Sequence, residues 1–109
     1  MVARVAEIIA QPGKTAELCR IIQDQVPLVR ELPGFVDYFM LVLESEARVV
    51  LMLSFWESGK DAEGFERGLL PDMRARLKPL IEVGPTVRAF DLRVSARYPL
   101  AKAVLAATA

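Results

Sequence analysis

Six residues on either side of one short polar turn could do chemistry together. They are Phe35, Asp37 and Phe39 before "ESEA" (Glu44 to Ala47), and Met52, Ser54 and Trp56 after it. If the flanking runs form an antiparallel hairpin with Leu43 opposite Arg48, then Phe35 faces Trp56, Asp37 faces Ser54 and Phe39 faces Met52. All six share one side of the sheet, while Tyr38 goes to the other side with Leu53. Aromatic walls, a thioether, one carboxylate and one hydroxyl make a plausible small pocket. In such a place Asp37 could act as a general base, and Ser54 can donate to an anion that forms beside it. Arg88 or Arg93, on the last strand, could supply a cation. Glu7, in the first apolar strand, is the second candidate base. The expected catalytic residues are therefore Asp37 and Glu7, with Trp56, Phe35, Phe39, Met52, Ser54 and Arg88 contacting the ligand.

The residue inventory narrows this chemistry. The chain has no histidine and no asparagine. Imidazole bases and Ser-His or Cys-His nucleophiles are excluded, along with nearly every zinc, copper or non-haem iron site. No metal and no cofactor is expected; neither a Gly-rich dinucleotide loop nor a P-loop is present. Fourteen basic residues balance fourteen acidic ones, which gives no electrostatic reason to expect nucleic acid as a partner. The single cysteine, Cys19, cannot form an intrachain disulfide. "MVARVAEII" lacks the charged and apolar regions of a secretion signal, and no run is apolar for the eighteen or so residues of a membrane helix. The expectation is a cytoplasmic protein with no membrane partner.

The elements that must position these residues follow from patterning. Val2 to Ala10 reads as a strand and "QPG" as a turn. Lys14 to Leu32 carries Leu18, Ile22, Val26 and Val29 at helical spacing, with Pro27 expected to kink or split the helix. Phe35 to Leu43 and Arg48 to Glu57 form the hairpin. Ser58 with Asp61 resembles a capping box that starts a second helix through Phe65, Leu69, Met73 and Leu77, distorted by Pro71 and ended by Pro79. "VGP" is a loop, Thr86 to Ser95 a fourth strand, and residues 97–109 a tail with a short helix after Pro99.

This order, βαββαβ, is that of a ferredoxin-like α+β fold with a four-stranded antiparallel sheet over residues 1–96. Two helices cover one face only. Yet the third strand is apolar at both parities, with Val49, Leu51, Leu53 and Phe55 on one side and Val50, Met52 and Trp56 on the other. The second face needs cover, and a second copy of the chain is the expected partner.

"PGK" after the first strand, "LPGF" before the second and "FWES" leading into the second helix together resemble the antibiotic biosynthesis monooxygenase domain family. The likeness covers roughly residues 2–95. It implies a dimeric α/β barrel and, for function, a cofactor-independent monooxygenase acting on a small aromatic or polyketide-like compound; the alternative is a non-catalytic barrel that binds a small apolar ligand. Trp56 matches a pocket-lining tryptophan at the end of the family's third strand. The first-strand asparagine of the haem-degrading relatives, which should fall near Ala6, is missing, and so is their iron-binding histidine; the asparagine of the quinone-forming oxygenases is likewise missing. Haem degradation by that scheme is not expected.

Overall fold

A computed structural model describes residues 1–99 of the chain; the helix expected after Pro99 lies outside the described residues. The elements are β1 (Val2–Ala10), α1 (Thr15–Arg30), β2 (Phe35–Val42), β3 (Val49–Trp56), α2 (Gly59–Arg67), α3 (Leu70–Leu77), a 3-10 turn (Lys78–Leu80) and β4 (Ile81–Asp91). The four strands pair antiparallel in the order β2-β3-β1-β4. This is the ferredoxin-like arrangement read from the sequence.

The helices differ from expectation at their prolines. α1 runs through Pro27 as one element, because Pro27 is exposed and the carbonyl it leaves without a partner can turn to water. The second helical stretch is instead two helices. Pro71 fits the first turn of α3, where no backbone donor is needed, and α2 ends at Gly68. At the start of α2 the Ser58 hydroxyl accepts from the Asp61 N–H at 3.2 Å, as the capping pattern predicts. The Asp61 carboxylate in turn rests against Gly34, whose φ is +74° and whose place no Cβ could share with it. Glu57 N–H donates to the Gly34 carbonyl at 2.8 Å, so the "LPGF" turn is tied to the β3–α2 junction.

β4 begins earlier than predicted. The "VGP" stretch is inside it, paired with β1 through register shifts between Glu7 and Ala10. At Gly84, φ is +96° and a Cβ would come within 2.6 Å of the Glu7 carbonyl, so the irregular pairing there requires glycine.

The hairpin register is the main correction. Leu43 pairs with Val49, its N–H donating to the Val49 carbonyl at 3.0 Å, because the turn holds five residues instead of four. Val42 thus faces Val50, Met40 faces Met52 and Tyr38 faces Ser54. A bulge at Val36 then takes up one residue, and Phe35 still meets Trp56. A slip of one position exchanges the faces of a strand. Tyr38 and Met40 therefore lie on the helix-covered face, and Asp37 and Phe39 on the open one.

The covered face carries the core. Ile8, Ala10, Leu18, Ile22, Val50, Met52, Leu77 and Leu80 form one cluster; Val29, Trp56, Ala62, Phe65 and Met73 form the other. Tyr38 packs against both. The open face bears Val5, Leu51, Leu53, Phe55, Phe39, Leu41 and Phe90, of which Phe39, Leu41 and Phe90 are nearly half exposed. Among the described residues, only Ala3 is buried on that side. After β4 the chain reaches Asp37 on the far edge strand, where Arg97 and Tyr98 donate to its carboxylate at 3.3 and 3.4 Å. Residues 92–98 thus form a strap from one edge of the sheet to the other.

Candidate functional site

Between the sheet and helices α2 and α3 lies a cleft whose floor is Arg4, Ala6 and Ile8 of β1, Met52 and Ser54 of β3, Tyr38 of β2 and Val87 of β4. Phe65, Leu70, Met73 and Leu77 roof it, and Glu66 and Arg74 add charge. The space open to the centre of a water molecule is about 40 Å³, on the order of three water positions. It is a slim slot between mostly apolar walls.

Its polar groups come from definite places. Ser54 and Tyr38 are register partners on adjacent strands, and such pairs sit about 5 Å apart at Cβ. The Trp56 indole N–H donates to Ser54 Oγ at 2.9 Å. That fills one acceptor position of the Ser54 oxygen and leaves its own proton free to donate elsewhere. Among the described residues, nothing bonds to the Tyr38 hydroxyl. Burial pushes the Tyr38 phenol up to about 12, so it is a neutral donor throughout the physiological range and not a base. Arg4, mostly buried, donates from Nε to Glu66 Oε1 at 2.6 Å across the cleft.

Trp56 is completely buried. It stacks on Phe65 at 5.0 Å and meets Phe35 edge-on at 6.0 Å. It stands behind the cleft, not in its wall, and reaches the space through Ser54 and Phe65.

Of the residues singled out from the sequence, Ser54 and Met52 line the cleft, while Trp56 and Phe35 support it. Asp37, Phe39, Glu7 and Arg88 stand on the opposite face. Phe39 there meets Phe55 edge-on, Asp37 holds the strap, and Glu7 and Arg88 are exposed. Asp37 was expected opposite Ser54, and the five-residue turn is what moves it away. The sequence reading set Tyr38 on the other face with Leu53, and it passed over Arg4 and Glu66. Arg4 carried a signal: it is a charge inside "VARVAEIIA" at the same parity as Ala6, Ile8 and Ala10. Cys19 lies outside the cleft on α1, with burial raising its thiol pKa.

The family model for antibiotic biosynthesis monooxygenases matches residues 1–75, more than half of the chain. The chain belongs to this family. Among solved structures it resembles SnoaB, a cofactor-independent oxygenase from Streptomyces nogalater, with a TM-score of 0.75 at 15% identity, covering 89% of this chain and 97% of that one. It is equally similar to NE2512, a protein of unknown function from Nitrosomonas europaea, with a TM-score of 0.75 at 17% identity over 92% of this chain and 95% of that one. Rv0793 from Mycobacterium tuberculosis follows at 0.74 and 14%, covering 87% and 97%. These likenesses establish the shared fold. No curated protein matches the chain in sequence. This chain has no asparagine, and its cleft presents the hydroxyls of Tyr38 and Ser54, the Glu66 carboxylate and the guanidiniums of Arg4 and Arg74.

Proposed function

We propose that this chain is a cofactor-independent monooxygenase for a small planar phenol or enol, with its site in the cleft beneath α2 and α3. The observation that carries the reading is the slim, mostly apolar slot with its polar groups gathered on Arg4, Glu66, Arg74, Tyr38 and Ser54. In this chemistry the substrate anion is itself the reductant of oxygen. A ring CH₂ becomes C=O, giving up four electrons; one oxygen atom of O₂ enters the product and the other leaves as water. The protein must take a proton, hold the anion and exclude water. We assign the proton to the Glu66 carboxylate. Once Glu66 is neutral, the Arg4 guanidinium beside it is left to face the substrate anion. Asp37 and Glu7, on the other face, are assigned no part in this step. Family membership and the fold shared with SnoaB support the reading.

The experiment is oxygen uptake by purified protein with a panel of anthrones and naphthols. Uptake of one O₂ per carbonyl formed is expected, and Glu66→Gln should remove most of it. No uptake across the panel by folded protein overturns the oxygenase reading. The narrowness of the slot favours, in that event, a second reading: a barrel that binds a small flat ligand without turning it over.

We also infer that the open face is covered by a second copy of the chain, in a dimeric barrel. Seven apolar side chains on one face of the sheet, with Phe39, Leu41 and Phe90 nearly half exposed, are otherwise unaccounted for.

A further inference from the structure

The polar groups of the cleft differ in what they can still bond. Arg4 and Glu66 engage each other. Ser54 has spent an acceptor position on the Trp56 indole and keeps its proton. Tyr38 keeps a whole hydroxyl, and its ring is fixed between the two core clusters. The two residues that carry free O–H groups are directly paired on neighbouring strands, and both line the slot. The bulge at Val36 ends just where Tyr38 is presented, and bulges commonly re-aim a side chain beside a site.

We propose that Tyr38 and Ser54 together form a two-donor cradle for a single anionic oxygen of the ligand, with Trp56 as the positioning residue that turns the Ser54 proton towards it. This rests on the cleft being the ligand site, and it narrows the ligand to a flat phenolate or enolate. One oxygen with two in-plane lone pairs accepts from two strands at once, while the uncharged body of the ligand lies between Met52, Phe65 and Met73. A phenol capped as a methyl ether has no charge there to stabilise. Burial alone would drive a phenolate back to phenol; two fixed donors oppose that.

The probe is 4-nitrophenol, whose phenol and phenolate absorb at different wavelengths, with 4-nitroanisole as its uncharged counterpart. Titration of each into wild-type protein across a range of pH gives affinity and the pKa of the bound phenol. Trp56, the single tryptophan, reports binding by fluorescence. Tyr38→Phe and Ser54→Ala should each raise the bound phenol's pKa by about one pH unit or more and weaken phenolate binding about tenfold or more. Trp56→Phe, which keeps a ring but loses the N–H, should give a smaller shift in the same direction, read by absorbance. Binding of 4-nitroanisole should be weak and indifferent to all three. Circular dichroism checks that each variant is folded.

If Tyr38→Phe and Ser54→Ala bind phenolate as tightly as wild type, the cradle is wrong. It is equally wrong if wild type prefers nitroanisole, or binds neither probe. The result is separable from oxygenase activity. Donor-dependent shifts without oxygen uptake would leave the cradle standing and remove the enzyme. Uptake without such shifts would do the reverse.

Discussion

Replacing Trp56 by alanine should unfold much of this protein before it tells anything about a reaction. The indole is completely buried, stacked on Phe65, edge-on to Phe35 and bonded to Ser54. Truncating a buried tryptophan to alanine costs about 3–5 kcal/mol, including the lost aromatic pairs. Ser54 tolerates the change, since its hydroxyl can rotate. Against a total stability of about 5–15 kcal/mol for a domain of this kind, the loss is a large share. Trp56→Phe keeps a ring against Phe65 and gives up part of the volume and one buried hydrogen bond, for roughly 1–2.5 kcal/mol in all. Urea unfolding followed by far-ultraviolet circular dichroism, at one fixed protein concentration, measures both. With a slope of about 1–2 kcal/mol per molar urea, the midpoint should fall by roughly 2–4 M for alanine and about 1 M for phenylalanine. A loss of under about 1 kcal/mol for Trp56→Ala, about the size of a typical exposed substitution or less, would refute the placement of Trp56 as the keystone behind the cleft and return it to the wall.

Two further outcomes follow from groups on opposite faces of the sheet. Tyr38 titrates near 10 in the unfolded chain and at about 12 when folded, so its contribution is intact below pH 10. Above that the unfolded chain releases a proton that the folded chain keeps, and stability drops by up to roughly 3 kcal/mol as pH rises to 12. Tyr38→Phe should flatten this decline in thermal melts between pH 9 and 12, and an unchanged slope would contradict the burial of the Tyr38 side chain. On the open face, Leu53→Lys should convert a species of twice 12.1 kDa to one of 12.1 kDa by light scattering; a wild-type monomer, or a variant that stays paired, would remove the dimer proposal.

The fold was legible because its signals are local and redundant. Apolar spacing on Leu18, Ile22 and Val29, the cap at Ser58 and the turns around Gly13 and Gly34 each point to one arrangement. The site was less legible because it depends on parity. One residue more in the turn at 44–48 sends Asp37 to the strap and Tyr38 to the cleft, and nothing in "ESEAR" distinguishes four turn residues from five. The first pair, Phe35 with Trp56, was read correctly although the residues after it were not, since the bulge at Val36 cancels the longer turn at that point only. Arg4 and Glu66 lie sixty-two positions apart, and no short-range pattern announces such a pair.

The bulge at Val36 makes the chemistry of the cleft a matter of counting. Were the ladder regular from Phe35 onward, the pairing of Phe35 with Trp56 would set Asp37, not Tyr38, against Ser54, with every residue type in the strand unchanged. A carboxylate would then stand where a phenol now stands, and the cleft would carry a base in place of a donor. The fold can therefore exchange one reactive group for another by closing the bulge at Val36 and shortening the turn at 44–48 by one, with no residue gained or lost. Sequence comparisons, which score substitutions and gaps, would pass over that change.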